Sequence, residues 1–217
     1  MRNILSIVFV FLLLIVGNID VFSQEERSFY LWNTTGVQVG LNDSYNLDVK
    51  TKTHYRLNDH FREMTYMDFA VSRDLTDWFN LGLAFRAAQN RKPSVDIMEY
   101  RPQLVPKLKF NLKKLIVSST NRLEYRVFSQ GDNYLRHYHN IFINFPSLTS
   151  CLDPYLGEEL FTKLNSGGLH LVRFYGGLHL LNTKSFKLDA YYVWQSSKSD
   201  DRWSESDVLG LSLKFRI

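Results

Sequence analysis

Cysteine is almost missing: Cys151 is the only one in 217 residues, which excludes an internal disulfide framework. Its distance from the N-terminus also excludes the acylated first residue of a lipoprotein. It reads as a solitary thiol in a turn, with no neighbour in sequence to activate it. Proline is scarce at five residues, and no low-complexity linker divides the chain, so a single domain is expected. Beyond residue 16 no apolar run is long enough for a membrane helix, so any bilayer crossing falls to strands closed on one another. Gly-x-Ser-x-Gly is absent, and none of His54, His60, His137, His139, His170 and His179 sits in a nucleophile motif. No catalytic residue is therefore assigned. His137-Tyr138-His139 sets two imidazoles on one strand face, without a third ligand in view. No metal or other cofactor is expected.

What is present starts with a secretory leader. Arg2 supplies a positive n-region, 4–16 is uninterrupted and apolar, and Val21-Phe22-Ser23 fits a cleavage site before Gln24. The alternative is an uncleaved anchor helix, against which stands a run shorter than the ~20 residues of a span. Removal of 1–23 takes away Arg2 and Asp20, whose charges cancel, so the formal +4 of the whole chain stays with 24–217.

The segment 45–57 sets the pattern of that remainder. Asn46, Asp48, Lys50, Lys52, His54 and Arg56 occupy its even positions; Tyr45, Leu47, Val49, Thr51, Thr53, Tyr55 and Leu57 occupy the odd ones. Successive side chains of a strand point to opposite faces, so this is a ribbon with one wet and one dry side. Similar runs occur at 29–40, 61–73, 78–89, 95–105, 113–129, 133–145, 154–164, 168–181, 185–197 and 206–217. Tight connections carry Asn, Asp, Thr or Ser just before an aromatic, as at Asn42-Asp43-Ser44-Tyr45, Thr76-Asp77-Trp78 and Thr183-Lys184-Ser185-Phe186. A more polar set, at 89–94, 129–134, 165–168 and 196–206, is expected to form longer loops at the other end.

These features predict an all-β fold, an antiparallel up-and-down transmembrane β-barrel of about 10–12 strands in the outer membrane. Eleven runs are counted, but with the C-terminus in the periplasm an odd number starts the first strand outside, so ten or twelve is expected. In the last run Leu209, Leu211, Leu213, Phe215 and Ile217 share the lipid-facing side, opposite Gly210, Ser212, Lys214 and Arg216. Such an ending suits recognition by barrel-assembly machinery. Trp32, Tyr45, Tyr55, Trp78, Phe79, Phe186, Trp194 and Phe215 fall near strand ends, where aromatic girdles form. A secreted, lipocalin-like soluble barrel is the structural alternative, with the apolar side turned inward.

If the dry faces meet lipid, the wet faces line a lumen. The register puts Lys50, Lys52, Arg56, Arg62, Arg86, Arg101, Arg122, Arg126, Arg136, Arg173, Lys187, Lys214 and Arg216 there, against Asp48, Asp68, Glu99, Glu124, Glu159 and Asp189. A surplus of bases attracts anions. In one reading the network of Arg101, Arg122, Glu124, Arg126, Arg136, Glu159 and Arg173 fills the barrel, with Arg122, Arg126 and Arg173 forking toward Glu124 and Glu159. In the other, surplus bases line a narrow conduit for small anionic solutes. A hydrolase is the weakest of the functional readings, and no nucleic-acid partner is expected.

Several short blocks resemble a known family. Asp153-Pro154-Tyr155-Leu156-Gly157-Glu158-Glu159-Leu160-Phe161 and Val172-Arg173-Phe174-Tyr175-Gly176-Gly177 are similar to Pro-Tyr…Glu-Leu-Phe and Asn-Arg…Tyr-x-Gly blocks of small outer-membrane barrels from Bacteroidota-type bacteria, a domain of unknown function. Asn121-Arg122-Leu123-Glu124-Tyr125-Arg126 and Glu99-Tyr100-Arg101-Pro102 match two further blocks. Val172 and the terminal Ile217 depart from the family pattern. The resemblance implies a barrel with inward Arg and Glu at the matched positions, and it implies no activity.

Overall fold

The computed structural model describes residues 27–148, 152–165, 168–199 and 202–217. The leader 1–23 and Cys151 lie outside the described residues. Eleven strands follow one another: β1 (Ser28–Gly40), β2 (Tyr45–Arg56), β3 (Phe61–Asp74), β4 (Phe79–Lys92), β5 (Val95–Leu112), β6 (Leu115–Phe128), β7 (Tyr134–Asn144), β8 (Asp153–Lys163), β9 (Gly168–Asn182), β10 (Phe186–Ser199) and β11 (Arg202–Arg216). Each pairs antiparallel with the next, and the ring closes between β1 and β11.

That closing pair is parallel, running from Ser28↔Ser206 to Gln38↔Arg216. The eleven runs counted in the sequence are therefore all full strands, and the expectation of ten or twelve is corrected. So is the expectation of uniformly antiparallel pairing, at this one seam. Ten antiparallel steps bring the eleventh strand into the direction of the first, and only a parallel ladder joins them. At one end of the seam the Gly40 amide donates to the Ile217 carbonyl at 2.9 Å and the Ile217 amide to Gln38 at 2.8 Å.

The connections segregate as expected, but they do not differ in length as expected. Strands β1–β2, β3–β4, β5–β6, β7–β8 and β9–β10 are joined at the Ile217 end, and β2–β3, β4–β5, β6–β7, β8–β9 and β10–β11 at the opposite end. The longest is on the Ile217 side. The polar stretch 196–206 is mostly strand, because Ser196↔Glu205 and Lys198↔Trp203 extend the β10–β11 ladder. The turn residues act as their chemistry suggests: Asn42 Oδ1 accepts from the amides of Ser44 and Tyr45, both at 2.9 Å, and Thr76 Oγ1 accepts from Phe79 at 3.0 Å.

Strand β5 runs seven residues past its expected end at 105, through Pro102 and Pro106. Both prolines are paired with β4, opposite Phe85 and Leu81. On the β6 side the register has no partner for Arg101, Pro102, Val105 or Pro106. Proline lacks the amide that side would use, so the ladder skips and resumes.

Alternation turns the apolar side outward. Leu83 is 68% exposed, Leu209 58%, Leu211 50% and Phe215 41%, while Val193 and Val208 are wholly buried inside, against Trp32. Inward glycines make room for rings from the neighbouring strand: Phe142 over Gly157, Tyr155 over Gly177 and Tyr191 over Gly210. A Cβ at Gly177 would lie 2.4 Å from Tyr155 Cζ, so close ring approach is what this strand glycine serves. Gly177→Val is expected to destabilise the barrel by about 1–3 kcal/mol through overpacking. Urea unfolding followed by gel mobility checks it, and in a Tyr155→Ala background the added cost disappears.

Candidate functional site

The inward face carries a layer of ion pairs. On β3 and β4, Asp68 receives a two-pronged contact from Arg86, Nε at 2.5 Å and Nη2 at 2.7 Å, and Lys50 Nζ lies 3.3 Å away. On β5 and β6, Glu99 is gripped by Arg101 and by Arg126, the latter at 2.5 and 2.8 Å. Glu124 takes Arg136 at 2.8 and 2.5 Å and faces Arg122 Nε at 3.2 Å. Glu159 on β8 accepts from Tyr138 at 2.7 Å, Tyr175 at 2.8 Å and Arg173 at 3.2 Å. Glu99 and Glu124 have no exposure at all. Such carboxylates are tolerable only because fork-shaped guanidiniums meet them at bonding distance.

Aromatic faces hold the same cations from the other side. Arg122 lies 3.6 Å over Tyr138, Arg86 3.7 Å over Tyr66, and Arg136 4.7 Å over Phe161. Trp32 carries Lys52 at 3.7 Å and Arg173 at 4.6 Å, and its ring stacks on His54 with centroids 4.4 Å apart. Cation–π contact supplements the scarce carboxylates.

Two chambers of about 430 Å³ each lie within the barrel. The one toward the Ile217 end is lined by Gln38, Asp48, Gly82, Lys107, Asn140 and Lys214, among others. The one toward the opposite end is lined by Lys52, His54, Arg86, Arg101, Arg126, Arg136, Lys163, Glu159 and Arg173, among others. Thr34, Lys50, Arg122 and Tyr138 border both. They form a waist.

Arg101, Arg122, Glu124, Arg126, Arg136, Glu159 and Arg173 are thus brought together around one lumen, and Asp68, Arg86 and Glu99 complete the set. The pairing differs from the sequence reading in one detail, since Arg126 engages Glu99 and not Glu124. Arg62 does not join. A bulge between His54 and Tyr55 pairs Arg62 with the outward Tyr55, and Arg62 is exposed at the rim. Trp32 is not a girdle residue but an inner one, 2% exposed. His137 and His139 stand on the outer side, opposite Thr162 and Leu160, and both contact Asn121 Oδ1, at 3.2 and 3.0 Å. Among the described residues no group of three His, Cys, Asp or Glu side chains is placed to hold a metal. At the rim, the Arg56 guanidinium, bonded at 2.9 and 2.8 Å, holds the Asp59 carboxyl below the usual carboxylate range.

The family described as protein of unknown function (DUF2490) matches residues 29–206, from β1 into β11. The chain belongs to this family. No curated protein matches it. In this DUF2490 barrel the ion-paired layer, from Lys50 on β2 to Arg173 on β9, lies inside the matched range.

Sequence reasoning missed the lumen bases Lys107 and Lys163 in this DUF2490 chain, because each lies at or beyond an element end where the period-two signal was cut short. It also missed that Tyr66, Tyr138, Tyr155, Tyr175 and Tyr191 face inward. Their alternation with the charged positions of the same strands, such as Tyr66 with Asp68 and Tyr138 with Arg136, was the available signal.

Proposed function

We propose that the protein is an outer-membrane β-barrel that takes small anions into its lumen and is closed to free flow at the waist. The observation that carries this is the polarity of the wall: Leu83, Leu209, Leu211 and Phe215 outward, and an excess of guanidinium and ammonium groups inward. A predominantly apolar exterior of this kind matches hydrocarbon, and it opposes a soluble carrier with its apolar face inside. Lipid is then its surrounding partner, and the β11 side chains Leu209, Leu211, Leu213 and Phe215, with the terminal Ile217, are the segment offered to assembly machinery. No covalent step belongs to this reading.

Six arginines and two lysines, at 50, 52, 86, 101, 122, 126, 136 and 173, face four carboxylates, at 68, 99, 124 and 159. Low-dielectric walls focus such a field and concentrate anions. In this reading Lys50, Arg122 and Tyr138, which line both chambers, are the side chains that narrow the path between them. In planar bilayers the wild-type barrel is expected to show no steady single-channel steps. Tyr138→Ala and Arg122→Ala are expected to give anion-selective steps. Silent variants that keep heat-modifiable mobility would overturn the anion path. A mature chain that stays in solution without detergent would overturn the membrane placement.

A further inference from the structure

The chamber away from Ile217 contains a spot where polar groups converge without partners. His54 is 8% exposed, lines the chamber, and its Nε2 has no hydrogen-bond partner. Behind it, Trp32 is 2% exposed, and its indole Nε1 is equally unpartnered. Lys52 lines the same wall two residues from His54 on β2. Among the described residues it has no carboxylate within ion-pair distance, and its Nζ rests on the Trp32 face at 3.7 Å. Arg173 also lies over that ring, at 4.6 Å, and commits Nη1 to Glu159 and Nε to Gln195.

A buried donor without an acceptor is costly, and the half-buried Lys52 ammonium beside it has no carboxylate in direct contact among the described residues. The register produces this arrangement by design of the pairing: Trp32 stands directly opposite His54, and Thr34 opposite Lys52. The lumen carboxylates are already claimed, Asp68, Glu99, Glu124 and Glu159 by arginines, Asp48 by Lys214 and Asp189 by Lys187. What the Lys52–His54–Arg173 corner lacks is a group that is anionic, rich in acceptors and not supplied by the chain.

We infer that Lys52, His54 and Arg173 form a binding subsite for the phosphate group of a small phosphorylated molecule. Phosphate carries up to two charges on three terminal oxygens, enough to accept from an ammonium, an imidazole and a guanidinium together. A halide brings one charge on one atom, and a carboxylate one charge on two oxygens. The chamber volume of about 430 Å³ falls within the range of small-molecule pockets, so an organic portion is accommodated beside Tyr66, Tyr175 and Phe161. This assignment rests on the anion-admitting barrel proposed above and adds its ligand class.

Trp32 reports on the subsite directly. With Trp78, Trp194 and Trp203 changed to Phe, it is the only tryptophan left of the four in the chain. The folded barrel in detergent is titrated with pyrophosphate at constant ionic strength, with succinate and chloride as comparisons. A saturable change in Trp32 emission is expected with pyrophosphate, and about tenfold weaker binding for succinate. Lys52→Met is expected to weaken pyrophosphate binding about tenfold, and Lys107→Met in the other chamber to leave it unchanged. Equal affinity for succinate would overturn the phosphate assignment; a loss in Lys107→Met and not in Lys52→Met would overturn the location. No saturable change in a heat-modifiable barrel, with Tyr138→Ala still conducting anions, would remove the subsite and leave the barrel reading standing. Pyrophosphate binding to a chain that needs no detergent would do the reverse.

Discussion

Glu99→Gln is expected to cost the barrel about 3–5 kcal/mol. Glu99 has no exposure and receives guanidinium contacts from both Arg101, 3% exposed, and Arg126. Taking away its charge leaves two cations facing each other in a closed space, with the nearest remaining carboxylates already engaged by Arg136 and Arg86. The loss should appear as a lower urea midpoint for the heat-modifiable form after refolding into detergent or liposomes. Glu99→Gln combined with Arg126→Met removes one of the stranded cations, and part of the stability returns. An unchanged midpoint in the single variant would mean that water or ions reach this layer freely.

Leu83→Arg should produce the second large effect, and its sign depends on the surroundings of the outer wall. Leu83 is 68% exposed and sits between the outward Val71 and Leu104. In hydrocarbon an arginine near the midplane costs ~2–4 kcal/mol. Facing water, the same change at so exposed a position would lie within ~0.5 kcal/mol of neutral. Refolding into liposomes across a urea series measures the difference. A neutral result for Leu83→Arg would argue against lipid around the belt.

Most of the fold was legible because one face of each strand is apolar and the other charged. In β2 the alternation from Tyr45 to Arg56 fixed both faces, and Lys50, Lys52 and His54 indeed point inward. The reading failed where another constraint entered. The run was ended at 105, just before Pro106, but β5 passes through that proline because the ladder to β4 is intact. Arg62 was displaced from the lumen by a bulge, which shifts parity without a sequence signal as plain as a glycine. Trp32 was assigned to a girdle on residue type, although its parity with Tyr30 and Thr34 already placed it inside. The inward arginines were legible singly, but their partners were not. Arg126 chooses Glu99 over Glu124 because of the stagger between β5 and β6, which two isolated strands do not reveal.

The parallel seam has an effect on geography. Where strands are even in number, both extremities of a ring leave from one rim. Here Ser28 begins at one mouth of the cylinder and Ile217 finishes at the other, so under the proposed insertion in a membrane, peptide tags placed ahead of β1 and behind β11 would be reached by protease from opposite compartments.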